Sequence, residues 1–196
     1  MSRARFSFSF FVTMLLAALD LFHGMNPLLK VAVPMIVIIA ALLLSQARHL
    51  SFTTDLGLVY PPVWPLLGWL LLALGWMLAT DYVLHWRGAF DFSVWRAQSL
   101  GVSVARGLGV CIVGPIAEEL VVRGMVFSRL RKVGLPVLIV ILLTAAGWAL
   151  LHVDYSPAVI FIIFIEGVLL GAARQYTGSL VVPILMHVAW NLYAVW

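Results

Sequence analysis

The sequence predicts an all-α fold, a polytopic transmembrane helical bundle of about seven spans. Three observations carry that prediction. Of the 196 residues, 64% are hydrophobic and only 10% are charged, whereas soluble domains sit near ~45–50% apolar and ~25% charged. Apolar stretches close to the ~20 residues that cross a bilayer recur along the chain. The breaks between them are polar or marked by proline and glycine, as in Met25-Asn26-Pro27, Pro61-Pro62 and Lys132-Val133-Gly134.

The spans are expected near 6–22, 28–46, 62–84, 100–128, 135–153, 157–174 and 178–195. Arg3 and Arg5 before Phe6–Leu19 give the first of them the outline of a signal peptide. No small-x-small cleavage site precedes Asp20-Leu21-Phe22-His23, and hydrophobic spans follow at once, so a retained helix is expected. A polar stretch from Ser45 to Pro62 separates the second and third spans. The segment Asp81–Gln98, with Trp86, Phe90 and Trp95, reads as an interfacial connector, because such aromatics favour the headgroup level. Span four is long for one straight crossing, so its first turns are expected to tilt or lie along the surface. The short links Lys132-Val133-Gly134 and Gln175-Tyr176-Thr177-Gly178 make the last three spans a tight antiparallel group. Gly167 and Gly171 give that group a small-xxx-small face. The chain, 1–196, is expected to form a single integral membrane domain: 1–99 holds the N-terminal spans and connector, and 100–196 the spans with the polar motifs.

Charge narrows partners and orientation. The net charge is +4, but the basic residues are scattered along loops, so no nucleic-acid partner is expected. The lone Cys111 excludes an internal disulfide and reads as a packing residue. With the N-terminus in the cytoplasm, Arg3, Arg5, Arg48, Arg129, Arg131, Lys132 and Arg174 fall inside. Only Lys30, Arg87 and Arg96 then fall outside. The positive-inside rule selects that orientation.

The chemistry concentrates in Gly114-Pro115-Ile116-Ala117-Glu118-Glu119-Leu120-Val121-Val122-Arg123-Gly124. A charge at mid-membrane costs ~2.5–3.5 kcal/mol or more, so three within six residues imply a use. On a helix Glu119 and Arg123 are four apart and can neutralise one another. Glu118 lies ~100° away and has no local partner. Trp148-Ala149-Leu150-Leu151-His152 and His187-Val188-Ala189-Trp190-Asn191 add an aromatic–His pair and a His–Asn pair on later spans. Intramembrane histidines face the bundle interior, so three helices contribute to one pocket. Glu118 there can act as a general base on water, and imidazole and amide N–H groups can bind the oxyanion that forms.

The order Glu-Glu-x-x-x-Arg, aromatic-x-x-x-His, His-x-x-x-Asn over about residues 100–195 resembles the CPBP family, the CAAX proteases and bacteriocin-processing enzymes, also called Abi. The resemblance implies an intramembrane glutamic-type endopeptidase without a cofactor. It implies that Glu118 activates water, His152 positions it, and His187 with Asn191 forms the oxyanion site, supported by Glu119 and Arg123. The second motif of that family usually begins with Phe, whereas this chain has Trp148. The implied partners are the lipid bilayer and a membrane-anchored or exported peptide or protein substrate; the implied location is a bacterial inner membrane.

Two alternatives stand beside that reading. Glu118, His152 and His187 would supply the three ligands of a catalytic zinc, which keeps its fourth position open. A non-catalytic immunity factor or proton-coupled carrier would use Glu118, Glu166 and His187 as a relay, and would need polar groups reaching both faces. Glu166 and Arg106 otherwise read as packing or cavity-lining residues, Asp81 with His85 as a solvated pair, and Trp148, Trp190 and Trp196 as packing or belt residues. Counting rise per residue puts the cluster mid-bilayer to outer, so access from the outer face is expected.

Overall fold

The computed structural model describes residues 28–89 and 93–195, with the isolated positions 17 and 26. The expected first span, apart from position 17, lies outside the described residues, as do Phe90 and Trp196. Helix α1 runs Leu29–Ala47 and α2 Val63–Leu84. Helix α3 runs Leu100–Lys132 and α4 Val137–His152. Helices α5 and α6 run Pro157–Thr177 and Val181–Val195. Among the described residues, α1, α2, α3 and α5 are long and apolar enough to cross a membrane, while α4 and α6 are shorter apolar helices. The 15 residues of α6 rise only ~22 Å at ~1.5 Å each, less than the ~30 Å hydrocarbon core.

Local chemistry sets the ends. Ser156 caps α5 by accepting from the Val159 N–H, and Pro157 occupies the first turn, where its missing donor costs nothing. Gly178 closes the helix at φ +68°, the left-handed stop that glycine adopts freely. α4 tightens into a 3₁₀ turn over Leu150–His152, which ends it early. The helices are apolar on both faces: on α2, Met77 and Thr80 point inward while Trp64, Leu71 and Val83 are exposed. Lipid is as apolar as leucine, so close packing and buried polar contacts, rather than hydrophobicity, hold such a bundle.

Helix α3 is the element around which the others are arranged. α1 packs along it through Val37 and Ala41 against Ala117 and Val121. Gly109 permits that approach, since a Cβ there would lie 2.5 Å from the Lys30 carbonyl oxygen. On the other side α4, α5 and α6 pack with α2 around Met77, Trp148, Ile162, Met186 and Trp190. The small-residue face forms the α4–α5 crossing: a Cβ on Gly167 would lie 3.0 Å from Ala145 Cα and 3.1 Å from Arg123 Nη2. α3 is one continuous helix of 33 residues, widened into π-turns at Gly109–Val113 and Leu120–Val126. The first precedes Pro115, whose ring and missing N–H disrupt a regular α-turn; the wide turn makes room for it. π-turns often accompany functional sites, and these two bracket Glu118 and Glu119.

Two expectations are corrected. Trp86 does not face outward from an interfacial connector: it is buried, stacks on Trp190 at 4.8 Å, and donates its indole N–H to Thr80 at 3.1 Å. Asp81 does not pair with His85; it accepts from Tyr193 at 2.8 Å and faces Arg87 at 3.9 Å. His85 ends α2 in a left-handed conformation at φ 47°, which turns it away from the helix face it would share with Asp81.

Candidate active site

Glu119 and Arg123 form the i,i+4 pair that their spacing predicts, at 2.8 Å, with both side chains 0% exposed. The guanidinium reaches further, donating from Nη2 to the Gly167 carbonyl at 3.1 Å and lying 4.7 Å over the Trp148 ring. Arg123 thus ties α3 to α4 and α5. The same Glu119 oxygen also faces His187 Nδ1 at 3.2 Å, a contact between α3 and α6 that the spacing could not reveal. A carboxylate oxygen accepts, so Nδ1 carries the proton and the other ring nitrogen, Nε2, points on toward Glu118 Oε2 at 4.0 Å. The supporting carboxylate therefore orients an imidazole as well as neutralising a guanidinium.

Glu118 does have a partner. Trp148 donates its indole N–H to Glu118 Oε2 at 2.6 Å, a charge-assisted bond that a phenylalanine could not make. The sequence reading of Trp148 as a packing or belt residue missed this; an indole N–H in an apolar helix, needing a buried acceptor, was the available signal. Trp148 also meets both histidine rings edge-on, His152 at 5.4 Å and His187 at 5.0 Å. His152 Nδ1 lies 3.0 Å from the Trp148 carbonyl; a carbonyl only accepts, so Nδ1 is the donor in that contact. Asn191 donates from Nδ2 to the Val110 carbonyl at 2.8 Å, on the first π-turn of α3. An amide NH2 has two donors, so this bond fixes Asn191 while leaving it a second N–H.

Glu118, His152, His187 and Asn191 line one cavity of about 440 Å³, together with Glu166, Trp86, Trp148 and Trp190. Glu118 is 12% exposed through it. The cavity reaches Lys30 at the start of α1, Asp154 after α4 and Val195 at the end of α6, all at one end of the bundle. Tyr155, in the turn there, has its phenol pushed above the usual range by burial and then by the negative charges of Glu118 and Asp154. At the opposite end the loop after α1 packs across the helix ends. Leu180 N–H donates to the Gly57 carbonyl at 2.7 Å, Ser179 to the Val59 carbonyl at 2.7 Å, and Ser128 to the Asp55 carbonyl. Lys132 pairs with Asp55 at 2.7 Å. A second cavity of about 280 Å³ at that end shares no lining residue with the first.

Both histidine Nδ1 atoms face other acceptors, so a metal could meet these rings only through Nε2. Among the described residues no group of three His, Cys, Asp or Glu side chains is placed to hold a metal ion.

Residues 100–193 match the family model described as type II CAAX prenyl endopeptidase Rce1-like. No curated protein and no solved structure matches the chain. The apolar helices and this match support an integral membrane protein that is an intramembrane endopeptidase of CAAX-protease type. The matched segment holds every candidate site residue, and in that segment the chain is similar to the type II CAAX prenyl endopeptidases.

Proposed function

We propose that the protein hydrolyses a peptide bond in a membrane-anchored or exported peptide or protein, using water activated by Glu118. One observation carries the proposal: α3, α4 and α6 bring Glu118, His152, His187 and Asn191 to a single cavity open at one end. Water positioned beside His152 gives its proton to Glu118 and attacks the carbonyl carbon. The carbonyl oxygen becomes an oxyanion, which the second Asn191 N–H and His187 Nε2, when protonated, can bind. Glu118 then returns the proton to the amine as the C–N bond breaks. Trp148 holds the Glu118 carboxylate and Glu119 holds His187 in register for these steps.

Among the described residues the site cavity reaches one end of the bundle, which favours this over a carrier, which needs a path to both faces. Arg48, Arg129, Arg131, Lys132 and Arg174 gather at the opposite end, so an N-in orientation in a bacterial inner membrane makes the mouth face outward. Outer access suits an exported or membrane-anchored substrate better than a prenylated cytosolic tail. The test is maturation of a candidate membrane-anchored precursor in cells, comparing wild type with Glu118→Gln, His152→Ala and His187→Ala at matched membrane abundance. Loss of processing in all three is the expected result. Normal processing by Glu118→Gln returns the non-catalytic reading to the front.

A further inference from the structure

A carboxyl that the proposed hydrolysis does not use lines the same cavity. Glu166, on α5, is only 4% exposed, and its Oε2 has no hydrogen-bond partner among the described residues. Leaving such an oxygen unbonded is costly, and more so when it is charged. Its α5 neighbours Ile162, Ile163 and Leu170 pack in the apolar core, so a leucine at this position would serve packing without that cost. The adjacent Gly167 carbonyl accepts from Arg123, which anchors the α5 backbone beside the ion pair. Arg123 donates to Glu119 and Gly167 through its two terminal nitrogens, and its buried Nε has no hydrogen-bond partner among the described residues.

Glu118 and Glu166 both line the cavity, while Arg123 pairs with Glu119, so a cationic side chain entering the cavity would meet two acids. Trp86, Trp148 and Trp190 line the cavity, an apolar wall along which an aliphatic stem can lie. An acid with an unfilled oxygen beyond aromatic surfaces is what a lysine or arginine side chain recognises.

We propose that Glu166 is a specificity residue, selecting substrates that carry a lysine or arginine side chain in the segment that enters the cavity. This rests on the endopeptidase reading above and deepens it. The test uses full-length protein in nanodiscs and membrane-anchored peptides carrying lysine or norleucine at each position in turn. At the preferred position, wild type should cleave the lysyl peptide with a kcat/KM at least about tenfold above its norleucyl counterpart. In Glu166→Gln that ratio should fall to near one. A wild-type ratio near one at every position overturns the proposal, and so does a Glu166→Gln protein that keeps the preference. Equal loss on both peptides also overturns it, marking a proton-handling or folding role instead. Peptide affinity is measured in parallel on Glu118→Gln protein, with and without Glu166→Gln. If nothing is cleaved but affinity shows the same preference and its loss, the hydrolysis reading fails while the specificity assignment stands. Equal affinities in that case overturn both.

Discussion

Removing Arg123 should cost far more than removing the whole ion pair. Arg123→Met deletes the 2.8 Å bond to Glu119, the 3.1 Å bond to Gly167 and the contact over Trp148. It leaves the Glu119 carboxylate, 0% exposed, with only His187 Nδ1 beside it. Breaking one side of a buried pair costs ~3–5 kcal/mol, a large share of the ~5–15 kcal/mol that holds a domain folded. Glu119→Gln alone should cost a similar amount by stranding the guanidinium. The double variant strands neither charge and loses mainly the Gly167 bond, ~1 kcal/mol. A double-mutant cycle should therefore show coupling of ~5 kcal/mol or more. The assay is equilibrium unfolding in detergent micelles, run with peptide cleavage on the same samples. Stability should return in the double variant, but activity should stay down ~10²–10⁴-fold, because His187 still lacks its orienting carboxylate. Additive losses, or an Arg123→Met cost under ~1 kcal/mol, would refute the reasoning.

Three further outcomes are expected. Trp148→Phe removes the 2.6 Å bond to Glu118, worth ~1.5–3 kcal/mol for a charged acceptor; if all of it acts in the transition state, kcat falls ~10–150-fold in a protein that still folds. Unchanged kcat would show that the indole only packs. Gly167→Val forces side-chain atoms against Ala145 and Arg123, so the unfolding free energy should drop ~1–3 kcal/mol, as overpacking does; a neutral result would mean that the α4–α5 crossing yields easily. Asp55 is held below the usual carboxylate range chiefly by the hydrogen bond from Lys132. Its stabilisation is complete above the unfolded value of ~3.9 and fades as pH falls through the folded value. Unfolding curves below about pH 4 should thus flatten in Lys132→Met, and an unchanged acid limb would contradict the linkage.

The fold was legible where local chemistry punctuates the chain. Pro62, Pro157 and Gly178 mark helix ends that the structure places within a few residues of the expected spans. Glu119–Arg123 was legible because i,i+4 geometry and the cost of buried charge act within one helix. Contacts across helices were not. The Trp148–Glu118 bond joins residues 30 apart, and nothing in an apolar run distinguishes a hydrogen-bonding indole from a packing one. Asn191 reaches Val110 across 81 residues at a π-turn, a widening that a hydropathy pattern does not register. Trp86 misled because a tryptophan among scattered charges has the composition of a membrane-interface belt, and only its stacking on Trp190 places it inside.

The most direct measurement is cleavage of a membrane-anchored peptide by purified protein in nanodiscs, wild type against Glu118→Gln, each with and without chelator. Glu118→Gln preserves the shape beside Trp148 and removes the base. The expected result is chelator-insensitive cleavage by wild type and a loss of ~10²-fold or more in the variant. Wild-type cleavage that the chelator abolishes, or a Glu118→Gln protein that cleaves normally, would contradict glutamate-activated hydrolysis at this cavity.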